Sequence, residues 1–161
     1  MKNCDCLKYN FKIKDTARIS LAAVFWTLCV LCMAVIFWFS SQSGDESQKV
    51  SDETLGLLLR FLGPILNSFI VRKFAHFFEF LGLAFFLSGA VFFTKKRFLP
   101  VAAFAVSIAY AVCDEIHQYF VPERACRIFD VFVDACGALC GILIFAGLLA
   151  LINVTFLKEK R

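Results

Sequence analysis

The chain has 161 residues, room for one domain. Hydrophobic residues make up 60% of it and charged ones only 19%. A soluble domain of this size keeps much of its surface wet, and this sequence lacks the polar residues to cover such a surface. The net charge of +4 is too weak for a nucleic-acid binder. Its basic residues sit in short clusters beside apolar runs, which is how membrane proteins use Lys and Arg.

A basic tail, 1–18, comes first. It carries Lys2, Lys8, Lys12, Lys14 and Arg18, with Cys4 and Cys6 among them. An uncharged run follows over 19–39. A signal peptide also begins with a basic segment, but this apolar run exceeds the ~7–15 residues expected and no A-x-A site follows. It reads as a retained span. Three more stretches approach the ~20 apolar residues a bilayer needs: 74–93, 98–121 and 128–152. Only helices satisfy their backbone groups at these lengths in lipid. The expected fold is therefore all-α, a compact four-helix transmembrane bundle over 19–152, closed by a tail at 153–161.

Between the first two spans lies the single long loop, 40–72. Its SSQSGDESQ start is polar and expected to be irregular. Ser51-Asp52-Glu53 then reads as a helix start. Leu55, Leu58, Leu59 and Leu62 recur at helical spacing, so a short amphipathic helix in the interface plane is expected, broken at Gly63-Pro64. The tails and the 94–97 loop share one side of a four-span topology and hold 11 of the 17 basic residues. The positive-inside bias puts both termini in the cytoplasm.

The eight cysteines show neither a disulfide framework nor metal spacing. Most read as small buried hydrophobes. The Cys4-x-Cys6 pair is open to acylation or metal binding.

Polar residues inside the spans collect at one end. Arg72, Lys73, His76 and Glu79 start the second span. Asp114, Glu115, His117 and Gln118 end the third, with Tyr110 a turn below. Arg127, Asp130 and Asp134 start the fourth. Successive spans alternate in direction, so all three groups meet at the outer face, where the first span ends at Ser40-Ser41-Gln42. Arg72, His76 and Glu79 share a helical face, as do Asp114, His117 and Gln118. The Asp130–Asp134 line continues through Gly137 and Gly141, a small-xxx-small pair suited to close helix contact. Charges at this depth are costly and mark function, although Arg72, Lys73, Arg124 and Arg127 could also offset the acids in a purely structural ion-pair network.

These stretches resemble the VanZ-like family of small membrane proteins. The resemblance rests on Phe39-Ser-Ser-Gln42, Arg72-Lys-Phe-Ala-His-Phe-Phe-Glu79, Tyr110-Ala-Val-Cys-Asp-Glu-Ile-His-Gln118, and Phe120-Val-Pro-Glu-Arg124 followed by Asp130-Val-Phe-Val-Asp134 and Gly137. It covers roughly residues 35 to 150. At Glu123 the family more often has Gly, which eases a tight turn. The resemblance implies a bacterial cell-membrane protein, and its founding member is associated with resistance to the glycopeptide teicoplanin.

The residues themselves suggest a site for a lipid-linked or peptidoglycan-related ligand at the outer leaflet, with membrane lipid as the surrounding partner. His76, Glu79, Asp114, Glu115, His117 and Asp134 are the candidate acid/base groups. Gln42, Arg72, Lys73, Gln118, Arg124, Arg127 and Asp130 are the candidate binding groups, the arginines suiting phosphate or carboxylate. A divalent metal is a variant, since His76-x-x-Glu79 and Asp114-x-x-His117 each put N and O ligands on one face; the surrounding Arg and Lys argue against it. The non-enzymatic alternative is a membrane scaffold, or a protein that shields an envelope target.

Overall fold

A computed structural model of the chain, described over residues 14–62, 67–124 and 127–159, contains helices and no strand among those residues. Five helices follow in order: α1 Asp15–Ser40, α2 Gly44–Leu62, α3 Ser68–Lys95, α4 Pro100–Tyr119 and α5 Ile128–Glu159. Four of them are long and apolar enough to cross a membrane, over Asp15–Ser40, Phe69–Lys95, Pro100–Tyr119 and Ile128–Val154. The 20 residues of α4 reach about 30 Å, the thickness of a hydrocarbon core. Cys4, Cys6, Cys126 and the Gly63-Pro64 break lie outside the described residues.

The most buried of the four spans is α3. Helices α1, α2, α4 and α5 all pack on it. It runs parallel to α5 and antiparallel to α1 and α4. Small side chains permit the closest approach. A Cβ added at Gly137 would lie 2.2 Å from the Phe77 carbonyl oxygen, and one at Gly141 would lie 2.2 Å from that of Leu81. The small-residue pair thus meets bare backbone of a neighbouring helix, the contact that drives association where lipid removes the hydrophobic force. Phe80, Ile36, Ala84, Ala111 and Ala138 fill the centre of the bundle. Toward the end bearing Lys95 and Lys96, rings of Phe25, Phe85, Phe92, Phe93 and Phe145 stack edge-on and tilted. There Arg18 donates to the Phe93 carbonyl (2.8 Å) and Trp26 to Thr94 (3.0 Å), fastening α1 to the C-terminus of α3.

The loop after the first span differs from expectation. Helix α2 starts at Gly44, not at Ser51, and runs 19 residues. Its start is a capping box: the Glu46 amide donates to Ser43 Oγ (3.3 Å), while the Ser43 amide donates to Glu46 Oε2 (3.0 Å). Ser51 lies inside the helix, its hydroxyl donating to the Ser47 carbonyl. What looked like an irregular polar stretch is the polar first half of an amphipathic helix.

Candidate functional site

The polar end of the bundle divides into a brace and a cavity. The brace begins with Lys73, which pairs with Asp130, both nearly buried. One turn deeper, His76 Nδ1 lies 3.4 Å from Asp134 Oδ1, an ion-pair distance longer than a well-formed hydrogen bond. Asp134 is completely buried, and neither of its oxygens accepts a hydrogen bond among the described residues. These rungs continue the glycine line of α5 up the same face of α3, so one stripe sets both the helix contact and the carboxylates.

Asp114 faces α1. It accepts from Ser40 Oγ (2.8 Å) and Gln118 Nε2 (2.8 Å). Glu115, next in sequence, points about 100° away on the helix and accepts the Arg127 backbone N–H at 2.7 Å. That carboxylate satisfies a backbone donor just before α5 and places a negative charge at its N-terminus, where the helix dipole favours it. Its second oxygen is buried without a partner among the described residues. Arg127 therefore enters the site through its backbone and does not line the cavity.

A loop of four residues positions Arg124. Its amide donates to the Val121 carbonyl (3.2 Å), Pro122 follows Val121, and Glu123 has a positive φ of 59°. These are the marks of a type II turn, whose third position favours Gly. The geometry left open by Glu123 is thus the left-handed one, with Glu adopting it. Gly44 seats against this turn, its amide donating to the Pro122 carbonyl at 3.1 Å. Arg124 then reaches inward and donates to the carbonyls of Gln42 (3.1 Å) and Phe39 (2.8 Å) and to Gln118 Oε1 (3.1 Å). Burial, and then the Arg72 guanidinium nearby, pull its pKa below the usual arginine value.

The cavity measures about 180 Å³. Arg72, Ala75, His76 and Glu79 of α3 form one wall, and Ser47, Val50, Ser51 and Thr54 of α2 form another. Phe39, Ser40 and Gln42 close the α1 side, with Arg124 at the rim. With Nδ1 turned to Asp134, His76 Nε2 is the ring nitrogen left for a ligand. Glu79 makes no hydrogen bond or ion pair among the described residues. Arg72 is fixed by Gln48, to which it donates at 2.6 Å.

His117 lies elsewhere. Its ring stacks on Phe37 with centroids 4.6 Å apart, and its Nε2 is 3.1 Å from Ser41 Oγ. The bundle therefore does not join the two histidines in one constellation. His76, Glu79, Arg72, Arg124 and Gln42 share the cavity. Gln118 and Asp114 stand behind Arg124, whereas Lys73, Asp130, Asp134 and Glu115 belong to the brace at the start of α5. Nor do the two His/carboxylate pairs converge: among the described residues no three of His, Cys, Asp and Glu are grouped to hold a metal ion. The sequence reading missed Gln48 and the Ser47, Ser51, Thr54 row. Their i, i+4, i+7 spacing was legible, but the start of α2 had been misplaced.

The sequence of residues 25–152, which holds the Phe39-to-Gln42 end of α1, the Arg72-to-Glu79 face and the turn at Arg124, matches the model of the VanZ/LLP1 family. The chain belongs to that family. Neither a curated protein nor a solved structure matches it. The VanZ/LLP1 match reaches into all four spans and includes every residue of the cavity.

Proposed function

We propose that this VanZ/LLP1 protein resides in the bacterial cell membrane with both termini in the cytoplasm, and that its cavity opens to the outer leaflet to bind or act on a cell-envelope or lipid-linked substrate. The orientation rests on the Lys and Arg bias. The substrate class rests on position, since a polar cavity at the outer end of a bundle meets headgroups and envelope precursors first. The link to glycopeptide (teicoplanin) resistance comes from the family.

One observation carries the reading: His76 and Glu79 line the cavity, and only His76 faces a partner, Asp134, which is itself fully buried. A histidine oriented through one nitrogen by a carboxylate can accept or donate a proton at the other. Glu79, two turns into α3 from Arg72, offers a second carboxyl group. Unpartnered, Glu79 is expensive in a low-dielectric setting unless a ligand meets it. The structural ion-pair alternative accounts for Lys73–Asp130 and His76–Asp134, but not for Glu79.

The test is antibiotic susceptibility measured beside membrane abundance. His76→Ala and Glu79→Gln should each remove the teicoplanin protection that the wild-type protein confers, at unchanged abundance. His117→Ala, packed on Phe37, should lose less. Full protection from well-expressed His76→Ala and Glu79→Gln variants contradicts the proposal.

A further inference from the structure

Two guanidinium groups at the cavity, those of Arg72 and Arg124, form no ion pair among the described residues. Arg72 donates to Gln48 Oε1, and Arg124 donates to two backbone carbonyls and to Gln118 Oε1. Every one of these acceptors is neutral. Among the described residues the ion pairs join Lys73 to Asp130, His76 to Asp134, and Asp15 to Arg18 and Lys96; none includes Arg72 or Arg124. Four neighbouring acids are turned to other partners: Asp130 to Lys73, Asp114 to Ser40 and Gln118, Glu115 to the Arg127 amide, and Asp134 to His76. Glu79 shares the cavity with the two arginines but pairs with neither. Arg72 Nε is buried and has no acceptor among the described residues. Arginine cannot shed its proton to escape this cost. One carboxylate, Glu79, faces two guanidiniums, and an anion from outside the chain would meet the donors it leaves open.

We propose that the cavity binds a phosphomonoester group held between Arg72 and Arg124. This deepens, and rests on, the reading of the cavity as a ligand site. Three features favour a phosphomonoester over a carboxylate. The two guanidiniums come from different elements, α3 and the turn before α5. A tetrahedral phosphoryl group presents oxygens in more than one plane and can meet both forks, whereas a planar carboxylate satisfies one fork bidentately. A phosphomonoester also carries close to two negative charges at neutral pH, matching two guanidiniums. Finally, Val50, Val71 and Ala75 line the same cavity, giving an attached hydrocarbon chain an apolar wall to follow. The same chemistry is offered by a phosphomonoester lipid and by free phosphate, and the test separates them.

Purified protein is placed in phosphatidylcholine nanodiscs with and without phosphatidic acid. Lipid retention is read by native mass spectrometry and stability by thermal melting. Inorganic phosphate and acetate are titrated in parallel. The expected result is retention of phosphatidic acid over phosphatidylcholine with a raised melting temperature. Affinity should fall about tenfold or more in Arg72→Gln, the usual worth of one charge-assisted bond. Arg124→Lys keeps a charge but loses the fork, and should weaken binding in the same direction. A stronger response to phosphatidic acid assigns the ligand to lipid, and an equal response to inorganic phosphate assigns it to a soluble source. Acetate acting as well as phosphate overturns the proposal, as does a folded Arg72→Gln variant that binds like wild type, or binding of neither phosphate source. If binding is absent but His76→Ala and Glu79→Gln still lose protection, only the phosphoryl identity falls. If those variants also keep protection, the cavity reading falls with it.

Discussion

Adding one methyl group at Gly137 tests how tightly α3 and α5 are joined. In Gly137→Ala the new Cβ would sit 2.2 Å from the Phe77 carbonyl oxygen, 3.0 Å from its carbon and 3.2 Å from the Leu81 nitrogen. All three are backbone atoms of α3, so no rotamer change relieves the clash. The helices must part by about 1 Å to reach ordinary contact distances. Overpacking of this kind costs about 1–3 kcal/mol, and the rigid neighbour puts it in the upper half of that range. Alanine returns up to about 1 kcal/mol of helix propensity, leaving a net loss of about 1–2 kcal/mol. Gly147 provides the control, because a Cβ there meets nothing within 4 Å. Gly147→Ala should therefore be neutral or stabilising by up to about 1 kcal/mol. Reversible unfolding in mixed micelles, read by helicity and a tryptophan signal, measures both. The parted helices should also weaken the His76–Asp134 contact, so Gly137→Ala should lose function before it unfolds. A Gly137→Ala variant as stable as Gly147→Ala would refute the claim that this stripe sets the α3–α5 approach.

Glu123→Gly should stabilise the protein by about 1 kcal/mol, because Glu123 holds a left-handed backbone that costs a side-chain-bearing residue roughly that much; thermal melting reads the gain. Gly44→Ala should do the opposite, since its Cβ would lie 2.3 Å from the Glu123 carbonyl oxygen, and the two effects should not add. The Ser43 amide and hydroxyl hold the Glu46 carboxyl below the usual glutamate range. Its support for α2 is therefore complete above the unfolded carboxyl's pKa of about 4.3 and disappears as pH falls through the lower folded one. The hydrogen-exchange protection factor at the first turn of α2, taken relative to the intrinsic rate at each pH, should fall over that acid window, and in Ser43→Ala the onset should move to higher pH.

Much of this architecture was legible in the sequence, and the failures have a common cause. Largely apolar runs near 20 residues long gave the four spans, because lipid leaves a helix no other way to satisfy its backbone. The i, i+4 spacing from Asp130 to Gly141 gave the contact face of α5 for the same reason. What spacing cannot supply is the rotation of each helix about its axis. Asp114 and Glu115 are neighbours in sequence, yet one bonds Ser40 of α1 and the other the amide before α5. His117 shares a face with Asp114 and still turns to Phe37 and Ser41, not toward His76. Charge arithmetic likewise suggested that the arginines offset the acids, whereas Arg72 and Arg124 found neutral acceptors. The start of α2 was present in the sequence as Ser43-Gly-Asp-Glu46, but the surrounding polar residues resembled a loop, since a helix outside the bundle needs few apolar positions.

The melting temperature of Glu79→Gln, set against that of Lys73→Met, tests most directly whether the cavity is a site and not a brace. Lys73 is paired with the nearly buried Asp130, and removing it should cost about 3–5 kcal/mol through the carboxylate left behind. Glu79 is bonded to no described residue, so making it neutral removes a cost without breaking a contact. The account predicts a melting temperature for Glu79→Gln equal to or above wild type, with teicoplanin protection lost. A drop matching that of Lys73→Met, with activity falling only in step with it, would contradict the account and assign Glu79 to the framework.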